Sequence, residues 1–148
     1  MALTIEDIYT YAKDKPELNI LLEGELQSGA PLIELAIKLT ISDFNSTPPV
    51  TEFFREDFPN DSILLYGVLH HLCNSEAERQ LRNQINFNAQ GVQAGIDDKF
   101  QQYLTFAQYY KGLFEAKAKE YKTFLNTEQA WGELGSPYRA INVRQFRS

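Results

Sequence analysis

The sequence predicts an all-α chain: a helical bundle with one long helix in its C-terminal half (about residues 96–125), an amide- and glycine-rich loop before it, and an extended C-terminal arm. Three observations predict it. Ile96, Phe100, Tyr103, Ala107, Tyr110, Phe114, Lys117, Tyr121 and Phe124 recur at alternating spacings of four and three, which is one face of a helix. Helix-start signals stand ahead of the apolar runs at Thr4, Pro31 and Asp61. No run alternates at the period of a strand, apart from a candidate hairpin within residues 83–95. The 148 residues divide into one helical domain, 1–135, and a docking arm, 136–148. A domain of this size buries roughly 68–70% of its unfolded surface and needs no disulfide or metal to fold.

The first helix opens on Thr4-Ile5-Glu6-Asp7, with Thr4 as N-cap and Asp7 three residues on. Ile5, Ile8, Tyr9 and Ala12 share its inner face, and Pro16 ends it at or before Lys15. Glu17 to Gln27 reads as a second short helix weakened by Gly24. Ser28-Gly29-Ala30 is a break, after which Pro31 suits the first turn of a helix whose apolar core runs from Leu32 to Phe44. A helix so apolar around its circumference is central in its domain or shared with a neighbouring subunit. Pro48-Pro49 forces an extended connection, and Phe53, Phe54 and Phe58 are expected to pin the following loop to the core. Asp61 is the expected N-cap of a helix over 62–74, with Ile63, Leu64, Val68 and Leu72 inward. Ser75 is expected to cap a separate stretch from Glu76 to Asn83, where Glu78 stands four residues before Arg82. Leu104, Leu113, Ala118 and Leu125 flank the long helix's seam, Gly112 interrupts it, and Asn126 is its expected stop. Thr127 to Gly135 then reads as one short capping turn carrying Trp131.

Charge excludes some functions. Fourteen basic and 20 acidic side chains give a net charge of −6, a surface that repels phosphates and does not grip DNA or an anionic membrane. Residues 1–60 carry 11 acids and 4 bases, and residues 61–135 carry 9 and 7. Residues 136–148 carry three arginines and no acid. No run approaches the roughly 20 apolar residues of a membrane helix, so no membrane partner is expected. The N-terminus lacks the basic and apolar regions of a secretory signal. One cysteine, Cys73, makes no internal disulfide, so a reducing cytosol is the default compartment.

The residue types that carry chemistry are sparse. His70, His71 and Cys73 are the only close group of ligand or nucleophile types, with His70 and Cys73 within reach on one helix. A structural zinc site wants a second ligand cluster, which is missing. A Cys–His nucleophile wants an orienting third group. Gly91-Val92-Gln93-Ala94-Gly95 precedes a helix but lacks the Lys-Ser/Thr of a phosphate loop, and Asp97-Asp98 follow at once. The pairs Glu6-Asp7, Glu56-Asp57 and Asp97-Asp98 point about 100° apart on a helix and read as caps or solvated acids. Lys111, Lys117, Lys119 and Lys122 flank the long helix as a solvated face interrupted by Glu115 and Glu120. The expectation is therefore no enzyme activity, no cofactor and no metal. The tail differs. Tyr138, Arg139, Ile141, Val143, Arg144, Phe146 and Arg147 combine apolar and basic groups that no later residue covers, and these are the expected partner-binding residues.

The order of pieces resembles the head-to-tail connector (adaptor, or neck) proteins of tailed bacteriophages. The matching pieces are an apolar helix running into Phe44-Asn45-Ser46-Thr47-Pro48-Pro49-Val50-Thr51 and a helix opening after Asp61. They continue with the Asn86-Phe87-Asn88-Ala89-Gln90-Gly91 loop, a long helix ending Tyr121-Lys122-Thr123-Phe124-Leu125-Asn126, and Ser136-Pro137-Tyr138 before the tail. The likeness spans about residues 28–148 and is architectural rather than a signature. It implies a subunit that assembles with itself as a ring, typically of twelve, at the head–tail junction of the virion after assembly in the host cytoplasm. Its implied partners are a portal protein and a tail or second neck protein, with DNA only as a passing strand. It brings no catalytic residues. The alternative is a cytosolic helical interaction module that docks a partner protein through the same tail.

Overall fold

The computed structural model describes residues 3–19, 25–82, 87–89, 92–94 and 99–133. Its elements are α1 (Ile5–Ala12), α2 (Ala30–Ser46), α3 (Asp61–Arg82), β1 (Phe87–Ala89), β2 (Val92–Ala94) and α4 (Lys99–Glu133). The fold is all-α, and β1 and β2 add only a small antiparallel hairpin with Asn88 opposite Gln93.

α1 begins as its sequence dictates. The Thr4 hydroxyl accepts from the Asp7 backbone N–H, and the Asp7 carboxylate accepts from the Thr4 backbone N–H, a closed capping box. Lys13 ends the helix in the left-handed region at φ 56°. The expected helix over Glu17–Gln27 is not found where the chain is described. Residues 16–18 form a turn, and 25–27 are not helical. The polar clasp around Asp14 gives the reason. Its buried carboxylate accepts from Asn19 Nδ2 (2.6 Å), Gln27 N (2.7 Å) and Ser28 N (2.8 Å), drawing backbone donors away from helical pairing.

α3 runs unbroken through Ser75, so the two helices expected there are one. Its N-cap is Asn60 rather than Asp61: Asn60 Oδ1 accepts from Ser62 N at 2.8 Å, while Asp61 already lies within the helix. α4 also outlasts its expected stop. Asn126 stays helical, Thr127 Oγ1 donates back to Thr123 O, and the expected capping turn is continuous helix to Glu133. At 35 residues, α4 is about 52 Å long.

α3 packs against both α4 and α2. One core cluster joins Ile8, Ile33, Ala36 and Ile37 to Leu64, Val68 and Leu72. A second joins Phe44 and Ile63 to Phe114 and Ala118. Phe53 and Phe58 pin their loop to Phe44 as expected, with ring centroids 6.0 and 5.0 Å away, but Phe54 is exposed.

Gly67 sits where the three long helices converge. A Cβ there would overlap the Thr40 Cγ2 of α2 and lie 3.1 Å from the Phe114 ring of α4. Thr40 cannot swing aside freely, because its hydroxyl donates to Ala36 O at 2.8 Å. Gly112 has nothing within 4 Å of the same position. The two glycines therefore respond oppositely to one methyl group. Gly67→Ala is expected to destabilise the protein by about 1–3 kcal/mol through overpacking, with Thr40→Ala recovering part of the loss. Gly112→Ala is expected to stabilise it by roughly 0.5–1 kcal/mol through helix propensity. Urea denaturation of the three variants checks the signs, and equal shifts for both glycines would contradict the packing described.

Candidate interaction surfaces

The residues singled out for chemistry separate once folded. His70 Nδ1 lies 2.9 Å from Ala107 O, and a carbonyl only accepts, so Nδ1 carries the proton. Burial pushes the His70 pKa below its ordinary value. His71 and Lys111 push the same way, against the Ala107 carbonyl and Asp43. His71 Nε2 instead pairs with Asp43 Oδ2 at 3.1 Å, linking α3 to α2. His70, His71, Asp43, Lys111 and Glu115 line one polar groove. Cys73 lies elsewhere, in an apolar cavity beneath α1. Burial, with the Glu76 carboxylate adding, pushes its thiol up to about 11, so it is a protonated thiol and a poor nucleophile at neutral pH. Among the described residues no three His, Cys, Asp or Glu side chains are grouped to hold a metal.

The expected partner-binding residues, Tyr138, Arg139, Ile141, Val143, Arg144, Phe146 and Arg147, lie outside the described residues. So do Gly91, Gly95, Asp97 and Asp98. Of the remaining acid pairs, Asp7 closes the α1 cap and Asp57 accepts from the Phe54 N–H, both local structural roles.

Lys122 corrects the reading of α4's basic flank. Its residue is only 2% exposed. Nζ donates to Pro49 O (2.8 Å) and Thr51 Oγ1 (2.6 Å) and stands 4.4 Å from the Phe44 ring centroid. Burial lowers its pKa. Thr51 Oγ1 passes the connection to Asn45 Oδ1, which also accepts from Phe53 N. A single α4 ammonium thus fastens the Pro49–Phe53 loop to the end of α2. Phe124, placed on the inner seam by its spacing, is 55% exposed. A straight helix of 3.6 residues per turn drifts about 20° per heptad from a 3.5 repeat. The inner face therefore passes from Phe114 to Ala118 and Lys122, away from Phe124.

Two apolar surfaces stay open. On one face, Leu32, Leu35 and Leu39 of α2 meet His71, Asn74, Ser75 and Glu78 of α3 in a shallow groove, with Leu35 and Leu39 exposed. On the other, Phe106, Tyr109 and Tyr110 form a run of touching rings with Tyr66, and Phe106 and Tyr109 are more than half exposed. The α3 residues lining the aromatic side are Leu69, Leu72, Cys73 and Glu76. They precede those of the α2 groove by two positions each, a rotation of about 200°, so the two surfaces lie on opposite faces of α3. The apolar density of α2 was visible in the sequence. The opposition of the two surfaces needed the packing.

No known protein family, curated protein or solved structure matches the chain.

His70 gives the site a pH dependence. Its native pKa lies below the unfolded value near 6.5, so the unfolded chain takes up the proton first and stability falls as pH drops through 6.5 toward the native value. The difference in thermal midpoint between pH 7.5 and pH 5.5 is expected to shrink in His70→Gln. An unchanged difference in that variant would remove His70 as its source.

Proposed function

We propose that this chain is a structural subunit of a tailed-phage neck, forming a ring connector between portal and tail through which DNA passes. The observation that carries the reading is the pair of unlike exposed apolar surfaces, aliphatic at Leu35 and Leu39 of α2 and aromatic at Phe106 and Tyr109 of α4. Unlike surfaces favour a head-to-tail contact between copies, and a head-to-tail contact either closes into a ring or runs on as a filament. The Leu32–Phe44 segment of α2 supplies one side of that contact. The architectural resemblance to connector proteins supports the same reading. So does the charge, since an acidic body lets DNA slide without sticking, and a basic, apolar arm suits a partner that presents carboxylates.

A second reading, a helical interaction module outside any virion, is favoured by the same charge contrast between residues 1–135 and 136–148. A gene lying between portal and tail genes separates the two.

Electron microscopy of the protein mixed with its candidate portal is expected to show a closed ring seated on the portal. Failure to associate with any portal or tail component would overturn the reading. Double-stranded DNA is expected to show no submicromolar gel shift at about 150 mM salt, because the net charge leaves too few phosphate contacts to release counterions.

A further inference from the structure

The cavity beneath α1 has a volume of about 220 Å³ and is walled by α1, α2, α3 and α4. Its apolar floor is Ile8, Ile33, Leu69 and Leu72, and Tyr103, Phe106 and Tyr110 form the α4 side. Among the described residues two carboxylates line it, Asp14 and Glu76, and no lysine or arginine does. Arg79 pairs with Glu76 at 2.7 Å. Asp14 makes hydrogen bonds to one amide side chain and two backbone N–H groups and, among the described residues, no ion pair. The result is an apolar slot with aromatic faces and an unbalanced carboxylate. That chemistry fits a cation on an aliphatic stem. The stem covers the floor, while a guanidinium stacks on the rings and meets the acid.

We propose that this cavity takes an arginine side chain from the C-terminal segment of a second copy of this chain. The segment carries Arg139, Arg144 and Arg147 without an acid, interleaved with Ile141, Val143 and Phe146. The body that receives it, residues 1–135, has 20 acids against 11 bases. Charge complementarity therefore runs between the two parts of one sequence. Reach favours a second copy over the chain's own segment. From Glu133 back to Phe106 is 27 residues of α4, about 40 Å. Even fully extended, the chain from 133 spans at most about 22 Å to Arg139, about 40 Å to Arg144 and about 50 Å to Arg147, so a return within one chain leaves Arg139 out and needs the segment stretched nearly straight for the other two. A neighbouring copy needs no such return. The cavity is then the seat the arm holds while no other partner takes it. The inference requires only that copies meet, so it stands or falls separately from the phage reading.

Cys73 is the chain's only cysteine and lines the cavity, so its labelling rate by a thiol reagent reports occupancy. With the full-length protein, labelling is expected to slow at least fivefold as concentration rises from about 1 to 200 μM. The slowing is expected to vanish in the variant Arg139→Gln/Arg144→Gln/Arg147→Gln and in Asp14→Asn. Because Asp14 also binds Asn19, Gln27 and Ser28, Phe106→Ala serves as a second cavity variant. Phe106 is largely exposed, and retained helicity by circular dichroism verifies its fold. Protection that ignores protein concentration would overturn the second-copy assignment. Equal protection in the triple-arginine variant, or in folded Phe106→Ala, would overturn the site. Protection of the triple variant by spermidine alone would assign the cavity to a free organic cation instead of the arm. A ring on the portal without any such protection would leave the neck reading intact and sink this one.

Discussion

The close approach of α2 and α4 to α3 at Gly67 is the constraint on which the rest of the structure depends. With no side chain there, Thr40 and the Phe114 ring can both lie against the α3 backbone. That single contact sets the spacing of both core clusters. Ile33, Ala36 and Ile37 pack against Leu64 and Val68 on one side of it, and Phe44 and Ile63 meet Phe114 and Ala118 toward the other end. It leaves the exposed apolar side chains on the outer helices, Leu35 and Leu39 of α2 and Phe106 and Tyr109 of α4. The interaction surfaces are by-products of how tightly the helices meet.

The second cluster is closed by a charge. The rings of Phe44, Phe53, Phe58 and Tyr121 touch one another with centroids 5.0–6.4 Å apart, and the Lys122 ammonium sits over Phe44. Taking an ammonium out of water is unfavourable, consistent with the lowered pKa of this lysine. The carbonyl of Pro49, the hydroxyl of Thr51 and the face of Phe44 together offset that cost. What results is directional. An apolar residue at 122 would fill the same space without fixing where Pro49 and Thr51 lie.

Much of the fold was legible in the sequence. The Thr4–Asp7 capping box, the Pro31 helix start and the inward set Ile63, Leu64, Val68 and Leu72 all follow from local chemistry and periodicity, and the structure contains them. The errors have two causes. Side chains that act across the chain are invisible locally: Asp14 binds Asn19, Gln27 and Ser28, so the helix expected at 17–27 does not form where it is described. Small phase errors also accumulate over a long helix, which is how Phe124 was placed inward and Lys122 outward. Gly67 carried a readable signal, a glycine inside a helical pattern, but nothing local says which neighbour fills the space. The candidate surfaces were half legible: the apolar excess of α2 is plain, while Phe106 and Tyr109 lie outside the seam that the spacing picks out on α4, which takes in only Tyr110 of that aromatic run.

α4 is held by α3 and by Lys122, and Asn126 to Ala130 beyond that fastening are exposed. Helices are stiff over such lengths, so the free end behaves as a lever with its pivot near Lys122. From there to Glu133 is 11 residues, about 16 Å, and a tilt of about 10° at the pivot carries the tip roughly 3 Å. A small adjustment where Lys122 meets Pro49 and Thr51 is thereby enlarged at the end of the helix that leads into the basic segment.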